Sequence, residues 1–167
     1  MIYFVSGGAD SGKSFFSESI MTSFKGRKLY IAAMENSSSH AKKRIAYHRK
    51  MREGKGFETY EKQKDYKSIN VEDYEAVILE CLGTLTANHL YDGGNIESLF
   101  QDIDYLLENC KNLVIVSNDI SSCGITYNKE MVEYMKTLNK ASIYIVEKSD
   151  VVVESISGIP YIHKGSL

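Results

Sequence analysis

The run Gly7-Gly8-Ala9-Asp10-Ser11-Gly12-Lys13-Ser14 follows a short apolar stretch, Ile2-Tyr3-Phe4-Val5-Ser6, and precedes residues with helical spacing at Phe16, Ile20 and Phe24. It matches G-x-x-x-x-G-K-[ST], and it constrains the fold more than any other feature of the chain. A strand must deliver the backbone into a tight turn whose N–H groups converge, and a helix must carry it away. Gly7 and Gly12 allow backbone angles that residues with a Cβ resist. The helix opening at Lys13 adds its positive N-terminal dipole. Lys13 supplies a cation for β- and γ-phosphates, and Ser14 a hydroxyl for Mg²⁺. The ligand implied is a nucleoside triphosphate, GTP or ATP, because such a loop reads only phosphates.

The rest of the chain alternates strand-like and helix-like segments. Strands are expected over residues 2–6, 28–33, 76–81, 112–118, 150–155 and 160–163, and helices over 13–24, 84–91, 96–109 and 129–144. Gly26 stands where a helix C-cap belongs, and the single proline, Pro160, falls in an expected turn with Gly158 and Ile159. The fold class expected is α/β and P-loop NTPase-like. Its sheet is mostly parallel, flanked by helices, with short antiparallel C-terminal strands. Residues 1–167 read as a single nucleotide-binding domain.

Composition is that of an ordinary globular protein, 43% hydrophobic and 25% charged, and a net charge of -2 gives no reason to expect nucleic acid. No apolar run approaches a membrane span, and no signal-peptide pattern precedes the loop. The loop comes so early that the mature chain is expected to start at Met1. Cys81, Cys110 and Cys123 are odd in number and widely spaced, which suggests a reducing cytoplasm rather than a disulfide framework or metal cage.

Charge concentrates in one place. Between residues 40 and 55, Lys42, Lys43, Arg44, Arg49, Lys50, Arg52 and Lys55 face the single acid Glu53. Such a run forms either a solvated helix face or a cradle for polyphosphate. Ser37-Ser38-Ser39 offers a cap for a helix here, and Gly54 and Gly56 close it. His48 lies inside the run. A neutral imidazole held near phosphates by Arg49 and Arg52 has the chemistry to attack an α-phosphorus, with the arginines spreading the developing charge. A surface histidine on a charged helix with no catalytic role is the competing reading. Glu80 ends the apolar run Ala76-Val77-Ile78-Leu79, so its carboxylate lies at a strand mouth, either beside Mg²⁺ or on a following helix N-terminus. Asp10 reads as solvent-facing or as a partner for a bound cation. His40, His89 and His163 read as structural or exposed.

Taken together, these residues resemble the adenosylcobinamide kinase/adenosylcobinamide-phosphate guanylyltransferase family of cobalamin biosynthesis. The resemblance runs through the loop, Leu29-Tyr30-Ile31-Ala32-Ala33, Arg44-Ile45-x-x-His48-Arg49 and Phe57-Glu58-Thr59-Tyr60-Glu61. It continues through Leu79-Glu80-Cys81-Leu82, Ser117-Asn118-Asp119 with Gly124-Ile125, and Ser157-Gly158-Ile159-Pro160. It implies two reactions. A nucleoside triphosphate phosphorylates adenosylcobinamide; GTP then guanylylates His48, and the GMP passes to adenosylcobinamide phosphate, giving adenosylcobinamide-GDP. By the same resemblance, nucleotide contacts fall on residues 7–14, on Ile31, Ala32 and Ala33, on Arg49, Lys50, Met51 and Arg52, and on Glu61 and Glu80. Metal contacts fall on Ser14 and Glu80, and the assembly implied is a homotrimer.

The chain departs from the family pattern in places. Ser37-Ser38-Ser39-His40 replaces D-x-E-M, Leu85 and Phe57 stand at aromatic and tryptophan positions, and a later arginine-bearing stretch has become residues 128–140 with lysines. Lysine does not reproduce the bidentate geometry of arginine. Three readings follow: the bifunctional enzyme or a diverged member keeping one activity, a different P-loop small-molecule kinase that needs no covalent histidine, and a nucleotide-binding regulatory module.

Overall fold

A computed structural model describes residues 1–34, 46, 50, 52–120 and 126–167. The elements in chain order are β1 (Ile2–Gly7), α1 (Lys13–Thr22), β2 (Lys28–Ala32), β3 (Phe57–Glu61), β4 (Ala76–Leu79), α2 (Leu82–Tyr91), α3 (Ile96–Asn109), β5 (Leu113–Asn118), α4 (Lys129–Lys148), β6 (Val151–Ile156) and β7 (Ile159–Lys164). Two short 3₁₀ turns, Tyr66–Ser68 and Val71–Asp73, lead into β4. The strands form one sheet in the order β3-β2-β4-β5-β1-β6-β7. Every neighbouring pair is parallel except the β6–β7 hairpin. The mostly parallel α/β architecture with antiparallel C-terminal strands agrees with the sequence reading.

Strand periodicity sorts the core into two layers, because alternate side chains leave opposite faces of a sheet. Phe4, Leu29, Ile31, Val77, Leu79, Leu113 and Ile115 point to one face, against Leu82 and Leu85 of α2, Leu99, Ile103 and Leu106 of α3, and Leu138, Ala141 and Ile145 of α4. Tyr3, Val5, Tyr30, Ile78, Val114, Val116 and Val153 point to the other, where Met21, Phe16, Ile20 and Phe24 pack. The spacing of Leu99, Ile103 and Leu106 puts a single stripe of α3 inward, and full burial of each such side chain is worth about 1.5–3 kcal/mol. Its N-terminus is fixed by a reciprocal capping box between Asn95 and Ser98.

Several elements differ from expectation. Helix α1 stops at Thr22, so Gly26 is not its cap. Ser19, Thr22 and Ser23 bond through their hydroxyls to carbonyls three residues back, and such bonds compete with helix continuation. Residues 57–61 form an edge strand, β3, whose exposed, charge-bearing pattern lacks the apolar run of a buried strand. Pro160 lies within β7, opposite Ser155, rather than in the turn; an edge strand tolerates the missing N–H. Helix α4 runs on to Lys148, where the sequence spacing suggested an end at 144.

Candidate functional site

The parallel strands end together at one edge of the sheet, the position where open α/β sheets bind ligands. Strand β1 delivers Gly7 there, and the chain turns through residues 8–12 into α1. Gly12 occupies the N-cap position with φ +87°, a left-handed conformation natural to glycine, and no side chain caps the helix. A helix N-terminus presented in this way is the arrangement that receives an anionic oxygen. Lys13, buried at the helix start, reaches back across the loop and donates from Nζ to the Gly8 carbonyl at 2.9 Å. Ser14 is half-buried beside it, Gly8, Ala9 and Asp10 are exposed, and Asp10 adopts φ +54°. From β5, the Asp119 N–H donates to the Gly7 carbonyl at 2.9 Å and fixes the loop's first peptide.

Ile31 and Ala32 finish β2 and Ala33 follows it, and Glu80 follows β4 on the same edge. Its N–H donates to the Ile31 carbonyl at 3.1 Å, and Asn88 of α2 donates to the Ala33 carbonyl at 2.9 Å. Glu80 is half-buried at the strand mouth, as read from the sequence. Burial, and after it the Glu80 carboxylate, push the Tyr30 phenol well above its usual range. Only β5 separates β1 from β4, two inter-strand steps or about 10 Å, so the loop leaving β1 and Glu80 leaving β4 open on the same edge. The Ser14 hydroxyl and the Glu80 carboxylate are the oxygen donors on this edge of the type Mg²⁺ takes.

A second part of the edge lies on β3. Glu61, Thr59 and Phe57 alternate onto one face of that strand and line an open cleft of about 1040 Å³ with Lys50, Arg52 and Glu53. Gly54 and Gly56, with φ +78° and +74°, turn the chain from the basic run into the strand. Arg52 is 6% exposed and lays its guanidinium 3.6 Å above the Tyr30 ring. Its Nε and Nη1 have no hydrogen-bond partner among the described residues. Nearby, Lys55 Nζ sits 2.6 Å from the buried Glu18 carboxylate and ties the basic run to α1. Sequence reasoning missed this pair, since an acid inside a helical pattern gives no sign of its burial. His48, Arg49 and Met51 lie outside the described residues, as do His40, Cys123 and Gly124-Ile125.

The structure thus brings the phosphate loop, Ile31 to Ala33, Glu80 and Glu61 to one edge. Arg52 instead lies over Tyr30 on the face of the sheet, and the basic run enters β3 at the opposite end, where Phe57 pairs with Lys28. From β1 to β3 there are four inter-strand steps, about 19 Å in all. The profile of the family described as cobinamide kinase / cobinamide phosphate guanyltransferase matches residues 3–162. The chain belongs to that family. Its members are the bifunctional adenosylcobinamide kinases and guanylyltransferases of cobalamin biosynthesis, so the chain is a member of an enzyme family and its substrate class is cobinamide.

No curated protein matches the chain. Among solved structures it is similar to the flagellar accessory protein FlaH from Methanocaldococcus jannaschii. The two share 15% identity over 99% of this chain and 78% of that one, with a TM-score of 0.53. It is also similar to a KaiC-like protein from Pyrococcus horikoshii OT3, at 12% identity over 92% and 69% of the two chains and a TM-score of 0.53. At such identities the likeness concerns fold alone, and that fold is P-loop NTPase-like. Among the described residues no helix is long and apolar enough to cross a membrane.

Proposed function

We propose that residues 1–167 act as a single nucleotide-binding domain that performs both family reactions. In the first, the loop and Lys13 hold the β- and γ-phosphates of GTP or ATP while the γ-phosphoryl passes to the aminopropanol hydroxyl of adenosylcobinamide. Ser14 and Glu80 would hold Mg²⁺, which would supply charge neutralisation at the phosphates when bound. In the second, the His48 imidazole attacks the α-phosphorus of GTP. A P–N bond forms, a P–O bond breaks and pyrophosphate leaves; the GMP then passes to a phosphate oxygen of adenosylcobinamide phosphate.

The observation that carries the second step is the cleft shared by Lys50, Arg52 and Glu61. Lys50 and Arg52 stand two and four residues beyond His48. Arg52 lines that cleft, and a guanidinium is a donor suited to phosphate oxygens. Glu61 is an acceptor suited to the N–H groups of a guanine edge. Free Cys81 and Cys110 accord with a cytoplasmic location. Exposed Ile156, Ile159, Tyr161 and Ile162 on the terminal hairpin accord with a homo-oligomer, a trimer by family resemblance.

Incubation with α-labelled GTP and Mg²⁺ tests this reading. The expected result is an acid-labile GMP adduct of one per chain, discharged by adenosylcobinamide phosphate and lost in His48→Ala. A parent chain that never takes up label has no guanylyl-transfer step. If His48→Ala still labels, the nucleophile is another residue. Light scattering of the purified chain reads the assembly, and a monomer at micromolar concentration refutes the trimer.

A further inference from the structure

The closing run Ser157-Gly158-Ile159-Pro160 has no part in either reaction, yet the hairpin that contains it packs directly on the phosphate loop. Ser155 lies 144 residues beyond Ser11, and its Oγ donates to the Ser11 carbonyl at 2.6 Å. The Gly158 N–H donates to the same carbonyl at 2.8 Å. Both lone pairs of that oxygen are thereby engaged. The approach is close enough that a Cβ on Gly7 would stand 2.6 Å from the Ser155 carbonyl oxygen, and one on Gly12 would stand 3.0 Å from the Gly158 Cα. Glycine at both loop positions is therefore demanded by the hairpin as well as by backbone angle.

The hairpin is itself preformed. Ser157 and Gly158 have φ +50° and +85°, the two successive left-handed residues of a turn that matches the twist of antiparallel strands. Ser155 is 2% exposed, which holds its hydroxyl in place. In a trans peptide the C=O and the following N–H point in opposite directions. A Ser11 carbonyl drawn toward the hairpin thus turns the Gly12 N–H the other way, toward the hollow of the loop.

We propose that the β6–β7 turn is a positioning element of the nucleotide site, in which Ser155 and Gly158, by holding the Ser11 carbonyl, aim the Gly12 N–H at the triphosphate. Ser155 is a positioning residue and touches no substrate. The inference rests on the phosphate-binding reading of residues 7–14.

The test is titration of the full chain with a non-hydrolysable GTP analogue and, separately, with GMP, which lacks the β- and γ-phosphates. Loss of a hydrogen bond worth about 1 kcal/mol corresponds to about fivefold in affinity. Ser155→Ala is expected to weaken the triphosphate by about that factor and to leave GMP unchanged. Ser155→Thr and Ser155→Val are nearly isosteric, so any cost of shape is common to both. Only the threonine variant should retain the parent's preference for triphosphate over GMP. Equal weakening of both ligands, or equal behaviour of the threonine and valine variants, overturns the proposal. Lys13→Ala separates the two levels. If it leaves triphosphate binding intact, the loop is not the phosphate site; if it abolishes binding while Ser155→Ala changes nothing, only the hairpin's role is wrong.

Discussion

Asp102 is the residue whose removal should damage the fold most for its size. It projects from α3 into a site where it is 4% exposed. Its carboxylate accepts from the Asp65 N–H at 2.9 Å and the Tyr66 N–H at 2.7 Å, and pairs with His89 Nε2 at 3.0 Å. His89 in turn meets Ser98 Oγ through Nδ1 at 2.8 Å, so one carboxylate joins α2, α3 and the first 3₁₀ turn. Asp102→Ala leaves three groups facing a buried void, each at about 1–3 kcal/mol for an orphaned donor. The Asp65 end is only part-buried, so the total expected is about 3–6 kcal/mol. Asp102→Asn keeps one acceptor oxygen and should cost about half as much. With a urea m-value of about 2 kcal/mol/M, the alanine variant should unfold about 1.5–3 M earlier by far-UV circular dichroism. A midpoint shift below about 0.5 M at unchanged m would refute the argument that these donors depend on the carboxylate.

Other outcomes follow from the same geometry. Burial pushes the Cys110 thiol from 9.0 up to about 12. The folded state therefore holds a proton that the unfolded state releases above pH 9. Stability should fall between pH 9 and 12, by up to about 1.4 kcal/mol per pH unit, and Cys110→Ala should flatten that slope in urea titrations at pH 8, 9 and 10. Gly12→Ala combines left-handed backbone with a Cβ 3.0 Å from the Gly158 Cα, so nucleotide titration should show loss of triphosphate affinity. Glu18→Ala strands the Lys55 ammonium against α1 and should lower stability by about 1–3 kcal/mol in chemical denaturation, with partial recovery in the Glu18→Ala/Lys55→Met double variant.

The parts of this molecule that could be read from sequence are those written locally. The apolar runs of β1, β4 and β5 and the stripe of α3 announce themselves, as does the glycine loop between a strand and a helix. β3 was hidden because an edge strand with little burial needs no apolar face, and Phe57-Glu58-Thr59-Tyr60-Glu61 gives only one side to the cleft. The end of α1 was misread because the hydroxyls of Ser19, Thr22 and Ser23 terminate it, whereas Gly26 carries the more familiar signal. Within the basic run, Arg52 stands out in the sequence as a candidate ligand residue, and the structure places it on the lining of the cleft. Its stacking on Tyr30 and the pairing of Lys55 with Glu18 depend on contacts across tens of residues, which periodicity does not encode. The hairpin's grip on Ser11 is the most distant of these and was the least visible.

The place of β1 in the sheet also bears on how the chain is made. β1 lies inside the sheet, and its neighbours, residues 113–118 on one side and 151–154 on the other, come more than a hundred residues later. At about 5–20 residues per second, roughly 8–30 s separate the appearance of β1 from that of β6. Until β5 emerges, the apolar β1 has neither of its sheet partners, a situation that favours chaperone capture and slow, late closure of the sheet. Chains arrested on the ribosome at residue 120 should be cleaved readily within residues 1–30 by protease, and full-length released chains should resist. The phosphate loop leaves the ribosome well before the β6–β7 hairpin, so the contacts that the hairpin makes with the Ser11 carbonyl form late.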